Sequence, residues 1–337
     1  MTKKVRWGVL GAANIAVKKV IPSMQAGENC EITAIASRDL EKSKQAAKAL
    51  NIPKFYGSYE ELLADSDIEA VYIPLPNHLH LEWTIKAARA GKHVLCEKPL
   101  GLNAAEVRRL IEIRDETGVK IQEAFMVRTH PQWLAVRDLI KSGRIGELQA
   151  INCFFSYFNA DKSNIRNKIE MGGGALMDIG CYCVNISRFI FDDEPRKVVS
   201  LIEKDAETGI DKLTSAMLDF PRGQATFTCS TQLVPYQRFH FLGTTGRVEV
   251  EIPVNIPTDT PTRIYIDDGA DLYGKNIETI EFETANQFKI QGDLFSQAVR
   301  ENTDQAISLE DSFKNMAVID AVFRSTETGN WEVPEKL

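Results

Sequence analysis

The stretch that decides the fold is residues 5–17, VRWGVLGAANIAV. An apolar run from Val5 to Leu10 stops at Gly11, and the residues from Asn14 onward have the apolar spacing of a helix. A buried strand that turns at a glycine directly into a helix is typical of an α/β fold with a parallel sheet. We therefore expect a first strand at 5–10 and a first helix at 14–26.

The same alternation of strand and helix continues to residue 122. Further strands are expected at 31–37, 54–56, 70–73, 93–96 and 119–122, and further helices at 40–50, 59–64, 81–90 and 103–117. Ser58 and Asn103 are suited to begin helices, and Gly91 and Gly118 are suited to end them. Right-handed crossovers place helices on both faces of such a sheet, which accounts for its almost continuously apolar strands. The pattern predicts a doubly wound parallel sheet.

The rest of the chain has a different pattern, because strands follow one another with few helices between them. Strands are expected at 149–157, 198–202, 213–220, 224–231, 239–242 and 247–252, and closing helices at 288–300 and 309–326. Runs of strands favour an antiparallel sheet. We expect two domains, 1–124 and 125–337.

Composition excludes several classes of function. The chain has 337 residues, a formal net charge of -7 and 44% hydrophobic residues, which is typical of a water-soluble protein. A negative surface repels phosphate backbones, so nucleic acid is not an expected partner. No run of 18 apolar residues predicts a membrane helix. Six cysteines scattered through apolar segments indicate reduced core thiols, and we expect a cytoplasmic protein.

The turn after the first strand matches the dinucleotide fingerprint G-x-G-x-x-G/A, with Gly11, Ala13 and Ala16 at the three marked positions. The amides and partial positive charge of a helix N-terminus suit a pyrophosphate. The alternative is a plain turn between strand and helix. The expected cofactor-binding residues here are Gly11, Ala12, Ala13, Asn14 and Ile15.

The end of the second strand, AIASRD, bears on the choice between NAD and NADP. Where an acid usually holds the ribose hydroxyl of NAD, this chain has Ser37 and then Arg38. A hydroxyl and a guanidinium suit a 2′-phosphate, which favours NADP, with NAD as the alternative. Ser37 or Asp39 could instead simply begin the next helix.

Glu97, Lys98 and Pro99 end the fifth strand, VLCEKPLGLN. Ligands of open parallel sheets bind at the carboxyl ends of the strands, so Lys98 is expected beside the nicotinamide. Pro99 restricts Lys98 to extended backbone. The alternative is an ordinary surface ion pair between Glu97 and Lys98, which contributes little to stability.

A second polar motif lies in residues 172–189, GGGALMDIGCYCVNISRF. Asp178 and Tyr182 are four residues apart and would share one face of a helix, with Asn185 on the same side. Burying a carboxylate and a phenol requires polar partners, so the pair is either a functional site or a tyrosine bonded to a capping aspartate. No metal site is expected, because His78-x-His80 and Cys181-x-Cys183 have a spacing at which helical side chains do not face each other.

Together with PLPNHLH at 74–80, these motifs resemble the family of glucose–fructose oxidoreductase and inositol dehydrogenase (Gfo/Idh/MocA). They are most similar to its branch of glucose–fructose oxidoreductase, dimeric dihydrodiol dehydrogenase and xylose dehydrogenase. The resemblance implies an N-terminal Rossmann domain and a C-terminal α/β domain whose large, mostly antiparallel open sheet often joins subunits. It also implies a homodimer or homotetramer and, often, a cis peptide between Lys98 and Pro99.

The resemblance also implies roles for individual residues. Lys98 matches the lysine at the reacting hydroxyl, Tyr182 the acid/base, and Asp178 the acid that helps to hold substrate and lysine. The loop beside the nicotinamide ribose and the turn after strand five would supply further cofactor contacts from Pro74, Pro76, Asn77, His80, Glu97 and Lys98. The chain departs from the family pattern at Ala13 and Ala16, where glycine is commoner.

The expected function is therefore that of an NAD(P)-dependent dehydrogenase or reductase acting on a sugar, polyol or cyclic diol. Two alternatives stay open: a sensor that binds NAD(P) without catalysis, and a glycosidase that uses NAD for a transient oxidation. The resemblance assigns no role to Arg128 or His130.

Overall fold

The structure, a computed structural model, describes residues 3–337 and contains two compact units. The first comprises the N-terminal residues through Met126 together with Asn286–Phe313, and the second comprises Val127–Ala285 together with Lys314–Leu337. The sequence placed residues 286–313 in the second domain, whereas they pack with the N-terminal residues. The indole of Trp7 donates to Ser296 Oγ at 3.0 Å and the amide of Asn29 donates to Asp293 Oδ1 at 2.7 Å.

The first unit is built on a six-stranded parallel sheet with the strand order β3-β2-β1-β4-β5-β6. Its strands are β1 Val5–Leu10, β2 Cys30–Ala36, β3 Lys54–Tyr56, β4 Ala70–Ile73, β5 His93–Cys96 and β6 Ile121–Glu123. This order is that of a dinucleotide-binding Rossmann sheet. The predicted doubly wound parallel sheet is confirmed.

Helices cover this sheet, and their ends follow the predicted capping. They are α1 Ile21–Gln25, α2 Leu40–Ala49, α3 Tyr59–Ala64, α4 His80–Arg89, α5 Ala104–Thr117 and α8 Gln287–Glu301. The side chains of Ser58 and Asn103 accept bonds from amides of the following helix, and Gly118 ends α5 in a left-handed conformation with φ 69°. One difference is that α1 is preceded by a π turn, Ala16–Val20, where the sequence predicted a regular helix.

The second unit contains an eight-stranded sheet with the order β14-β13-β12-β11-β7-β10-β9-β8. All neighbours are antiparallel except β7 and β10, which confirms the predicted mostly antiparallel sheet. The strands are β7 Leu148–Phe158, β8 Lys197–Lys204, β9 Asp211–Phe220, β10 Gly223–Ser230, β11 Gln232–Gly243, β12 Arg247–Val250, β13 Thr262–Asp267 and β14 Glu278–Phe282.

Helix α7, Cys181–Phe191, covers one face of this sheet and is buried along its whole length. Alternate residues of β7, among them Cys153 and Phe155, are buried on that face, and the rings of Phe155 and Tyr182 lie 6.3 Å apart. Two other helices belong wholly or partly to this unit: α6 Pro131–Lys141, and α9 Leu309–Thr328, whose first residues belong to the first unit.

All six cysteines are free thiols buried in the protein. Within residues 3–337 no helix is long and apolar enough to cross a membrane.

Candidate functional site: two clusters of polar residues

The turn after β1 has the geometry that the fingerprint requires. Gly11 has φ 122°, a left-handed conformation that favours glycine, and its amide donates to Ala36 O at 2.9 Å. A Cβ on Gly11 would lie 3.1 Å from Leu75 Cδ2, so the turn also has little room for a side chain. The chain passes at once into the helix, with the amide of Val17 bonded to Ala13 O at 3.0 Å. A turn that begins with glycine, continues with small residues and leads into a helix N-terminus fits a pyrophosphate.

At the end of β2, Asp39 is occupied in starting α2, because its Oδ1 accepts bonds from the amides of Glu41 and Lys42 at 3.0 and 3.2 Å. The hydroxyl of Ser37 accepts from the amide of Asp39 at 3.2 Å. Arg38 is exposed. Burial raises the pKa of the Tyr59 phenol, and the nearby Arg38 guanidinium opposes that rise.

The loop at 74–80 is tied to the turn after β5 through His80. This side chain is fully buried, with Nδ1 2.8 Å from Pro99 O and Nε2 2.8 Å from Leu75 O. Burial lowers the pKa of His80 to about 4, against the opposing effect of the two carbonyl groups. Each ring nitrogen faces a backbone oxygen, and the neutral imidazole donates to one of the two. This environment suits a residue packed between two loops better than one that touches a cofactor.

The turn that carries Lys98 is held at several points. The peptide between Lys98 and Pro99 is cis. The phenol of Tyr72 donates to Glu97 Oε1 at 2.6 Å, and the buried carboxylate of Glu123 accepts from the amide of Leu100 at 2.9 Å. Sequence reasoning missed Tyr72 and Glu123. Tyr72 and Glu123 lie toward the carboxyl ends of β4 and β6, the two strands on either side of β5. Side chains converge at this edge of a parallel sheet, and that position was the available signal.

The second cluster surrounds the helix of the GGGALMDIGCYC motif. Asp178 lies in a π turn, Leu176–Gly180, which runs directly into α7, where Tyr182 is buried. The sequence predicted a regular helix here, so the four-residue spacing spans a junction of two helical forms. The side chain of Asp178 is 14% exposed.

Asp178 is bonded to two side chains that the sequence did not indicate. The phenol of Tyr157 donates to Asp178 Oδ2 at 2.6 Å, and Nε of Arg166 donates to the same oxygen at 3.0 Å. Burial and the adjacent Asp178 charge raise the pKa of Tyr157, so this phenol stays protonated and remains a donor.

The start of the π turn is held by another missed residue, Asp211. Its Oδ2 accepts from the amide of Leu176 at 2.6 Å and from Thr214 Oγ1 at 3.1 Å. Burial raises the pKa of Asp211 to about 6. Gly174 has φ 116°, and a Cβ there would lie 1.8 Å from Asp211 Oδ1, so the glycine allows this close approach.

Arg128 and His130, left without a role by the sequence, have structural partners. Arg128 donates to Asn185 Oδ1 at 3.3 Å, and its guanidinium lies 4.3 Å from the ring centre of Phe189. His130 begins α6, since its Nδ1 accepts from the amide of Gln132 at 3.2 Å. In the described part of the chain, no group of three or more His, Cys, Asp or Glu side chains could hold a metal ion.

Comparison with protein families agrees with this geometry. Residues 5–125 match the family described as an oxidoreductase family with an NAD-binding Rossmann fold, and residues 133–249 match the Gfo/Idh/MocA C-terminal domain. The chain belongs to the Gfo/Idh/MocA family. It is an NAD(P)-dependent oxidoreductase, which confirms the resemblance and the cofactor class inferred from the motifs.

Among its relatives is an NADP-dependent D-xylose 1-dehydrogenase of Haloferax volcanii, 36% identical over 96% of this chain and 98% of the relative. A trans-1,2-dihydrobenzene-1,2-diol dehydrogenase of Mus musculus is 35% identical over 73% of this chain and 74% of the relative. Among solved structures, the 3-ketoreductase KijD10 of Actinomadura kijaniata in complex with NADP and TDP-benzene has a TM-score of 0.90. It is 30% identical, over 96% of this chain and 98% of KijD10.

Proposed function

We propose that this protein transfers a hydride between NADP and a hydroxyl or carbonyl carbon of a sugar, polyol or cyclic diol, with Lys98, Asp178 and Tyr182 as its catalytic residues. The observation that carries the proposal is the pair of Asp178 and Tyr182. A carboxylate with its own polar partners and a buried phenol follow each other along one helix of an oxidoreductase. A chain that only sensed the cofactor would have no use for this pair.

The bound dinucleotide supplies or accepts the hydride. Tyr182 gives a proton to the substrate oxygen, or takes one from it, at Oη. The ammonium of Lys98 stabilises the negative charge that develops on that oxygen. Asp178 orients the substrate.

Three variants and two controls test these roles. We expect Lys98→Met, Tyr182→Phe and Asp178→Asn each to lower kcat/KM about 100-fold or more, the usual loss on removal of an acid/base or of a charge at the reacting oxygen. Steady-state rates, followed by the absorbance of reduced cofactor over a panel of aldoses, polyols and diols, give the measurement. The exposed Lys141→Met and Tyr273→Phe should leave rates unchanged. Rates within a few-fold of the parent for the first two variants would refute the assignment.

The preference for NADP over NAD is proposed from the end of β2. Asp39 is used by α2, which leaves Ser37 and the exposed Arg38 to bind a 2′-phosphate. We expect Arg38→Ala to raise the KM for NADPH tenfold or more and to change the KM for NADH little. Arg89→Ala, which removes another exposed arginine of the same unit, is the control. Equal effects on both cofactors would contradict the preference.

The substrate class is proposed from the named relatives, which act on a sugar and a dihydrodiol. The remaining proposed cofactor contacts are the backbone of residues 11–15 and the loop at 74–77, with Glu97 beside Lys98. We propose that His80 serves this region indirectly, by packing between Leu75 O and Pro99 O and donating to one of them.

We also propose that two or four copies assemble through the face of the second sheet opposite α7. Five large apolar side chains stand exposed on that face: Phe158, Leu201, Met217, Tyr236 and Leu242. The double variant Leu201→Glu with Met217→Glu should reduce the mass measured by light scattering to that of one chain, whereas Leu272→Glu, at a fully exposed position, should not. Unchanged mass in the double variant would exclude this face.

A cytoplasmic location is proposed from the six buried free thiols, a composition suited to a reducing compartment. Fractionation of cells expressing the protein is the test, and recovery from an oxidising compartment would contradict it.

A further inference from the structure

We propose that Arg166 and Tyr157 are positioning residues for Asp178: together they hold one oxygen of its carboxylate, fix its orientation and so set the affinity for the substrate. This inference rests on the proposed function, since it requires that Asp178 act on the substrate. Neither residue belongs to the motifs from which the site was inferred.

Two side chains donate to a single carboxylate oxygen of Asp178. Tyr157 Oη and Arg166 Nε donate to Asp178 Oδ2 at 2.6 and 3.0 Å. Two donors on one oxygen fix the plane of the carboxylate, and the guanidinium adds a charge-assisted hydrogen bond. The side chain of Asp178 is 14% exposed, so this orientation is imposed at a place where water screens the charge only partly.

Hydrogen bonds within the loop at 159–167 fix the backbone that carries Arg166. Asn164 Oδ1 accepts from the amide of Arg166 at 3.0 Å and begins the short turn Ile165–Asn167. The buried side chain of Asn167 donates to Asn159 O at 3.1 Å and to Asp161 O at 2.9 Å, which closes the loop on itself.

The glycines of the motif connect this loop to the helix of Asp178. The amide of Gly174 donates to Arg166 O at 2.9 Å, and that of Gly173 donates to Lys168 O at 3.0 Å. A Cβ on Gly173 would lie 2.4 Å from Arg166 O. Because these glycines lack a Cβ, the loop that carries Arg166 can approach the start of the helix closely.

The test is a double-mutant cycle between Arg166 and Asp178. We expect Arg166→Met to raise the KM for the hydroxyl substrate about 10-fold or more, to change kcat less, and to leave the KM for NADP within twofold. Arg166→Lys should raise the KM less than Arg166→Met does, because lysine keeps the positive charge but lacks the planar guanidinium. Tyr157→Phe should show a smaller loss of the same kind. In an Asp178→Asn background, measured at high enzyme concentration, Arg166→Met should cost nothing further.

Matched controls separate positioning from folding. Arg263 forms the same Nε–carboxylate contact with Glu281 at 2.9 Å on the surface of the same unit. Tyr56 donates to Asp65 Oδ2 at 2.8 Å, an oxygen that Lys54 also contacts at 2.9 Å. Arg263→Met and Tyr56→Phe should leave KM unchanged. Calorimetric substrate binding to the enzyme–NADP complex should follow the KM values, with thermal unfolding of Arg166→Met close to that of Arg263→Met.

Two outcomes would overturn the inference. An Arg166→Met variant with parental KM would show that the contact is only structural. An equal loss in the parent and in Asp178→Asn would show that Arg166 acts elsewhere than through Asp178. Failure of the proposed function gives a different result, because Asp178→Asn itself would then retain activity within a few-fold of the parent.

Discussion

Two carboxylates near the start of the same helix have opposite environments. Asp178 faces a cation and a phenol and is partly exposed, whereas Asp211 is 5% exposed and is bonded to an amide and a hydroxyl. Burial outweighs those bonds and raises the pKa of Asp211 to about 6. At neutral pH the fold therefore contains a buried negative charge that costs stability.

The dependence on pH follows from the sign of that shift. Because the pKa of Asp211 is higher in the folded than in the unfolded protein, the native state binds the proton more tightly, and the cost decreases as pH falls from about 7 to 4. This cost corresponds to ~3 kcal/mol at most. Relative to Asp211→Asn, which is neutral throughout, the parent should gain several degrees in Tm across this range.

Asp65 is the control of opposite sign. Although burial opposes it, bonding to Lys54 and its other donors lowers the pKa of Asp65 to about 2. Its contribution is therefore present above about pH 4 and is lost below that. The parent should keep a constant Tm advantage over Asp65→Asn between pH 7 and 5. If the Tm difference between the parent and Asp211→Asn were also constant over this range, the pKa of Asp211 would not be raised by burial.

Among individual residues, sequence spacing could indicate only those that lie close together along the chain or directly after a predicted strand. Asp178 and Tyr182 were proposed as site residues because they lie one helical turn apart, and Lys98 because it follows a strand. Tyr157 and Asp211 could not be found in this way, since they are 21 and 35 residues from their partners and reach them only where the sheet packs against the π turn. Arg166 had a weak signal, its place just before a run of three glycines.

At the element scale, the glycine run decides how the helix of Asp178 begins. We expect Gly174→Ala to destabilise the protein by about 3 kcal/mol or more, because the new methyl meets a buried carboxylate 1.8 Å away in addition to the strain of φ 116°. Gly209→Ala is the matched control, with φ 74° and nothing within 4 Å of its Cβ, and should cost about 1 kcal/mol. Denaturant unfolding measures both, and equal losses would show that strain alone matters.

Element boundaries were predictable where a cap or a turn residue marks them, as at Ser58, Asn103 and Gly118. Helix α6 was missed although Pro131 stands at its first position, a favourable site for proline. The π turns at 16–20 and 176–180 span five residues each, too few for apolar spacing to distinguish them from a regular helix. Strands β13 and β14 were not predicted, because charged residues interrupt their apolar runs.

At the scale of the whole molecule, a C-terminal helix completes the N-terminal unit. Phe295 of α8 is 1% exposed and its ring lies 5.6 Å from that of Trp7. Phe295→Ala should lower the free energy of unfolding by about 3–5 kcal/mol. Its neighbour Leu294 is 41% exposed, and Leu294→Ala should cost less than about 1 kcal/mol. Similar losses would mean that α8 does not pack as described.

The same packing predicts which fragment of the chain folds by itself. Residues 1–124, the domain expected from the sequence, would expose Trp7 and leave its indole without Ser296. We expect this fragment to be poorly folded, since an exposed apolar face and an unmade buried hydrogen bond each cost stability. Residues 1–126 joined through a Gly/Ser linker to 286–313 restore both contacts and should unfold cooperatively and bind NADP in calorimetry. The linked fragment carrying Phe295→Ala serves as the control and should behave like the short one. If 1–124 alone folded and bound NADP as tightly, α8 would be an accessory to the Rossmann unit instead of part of its core.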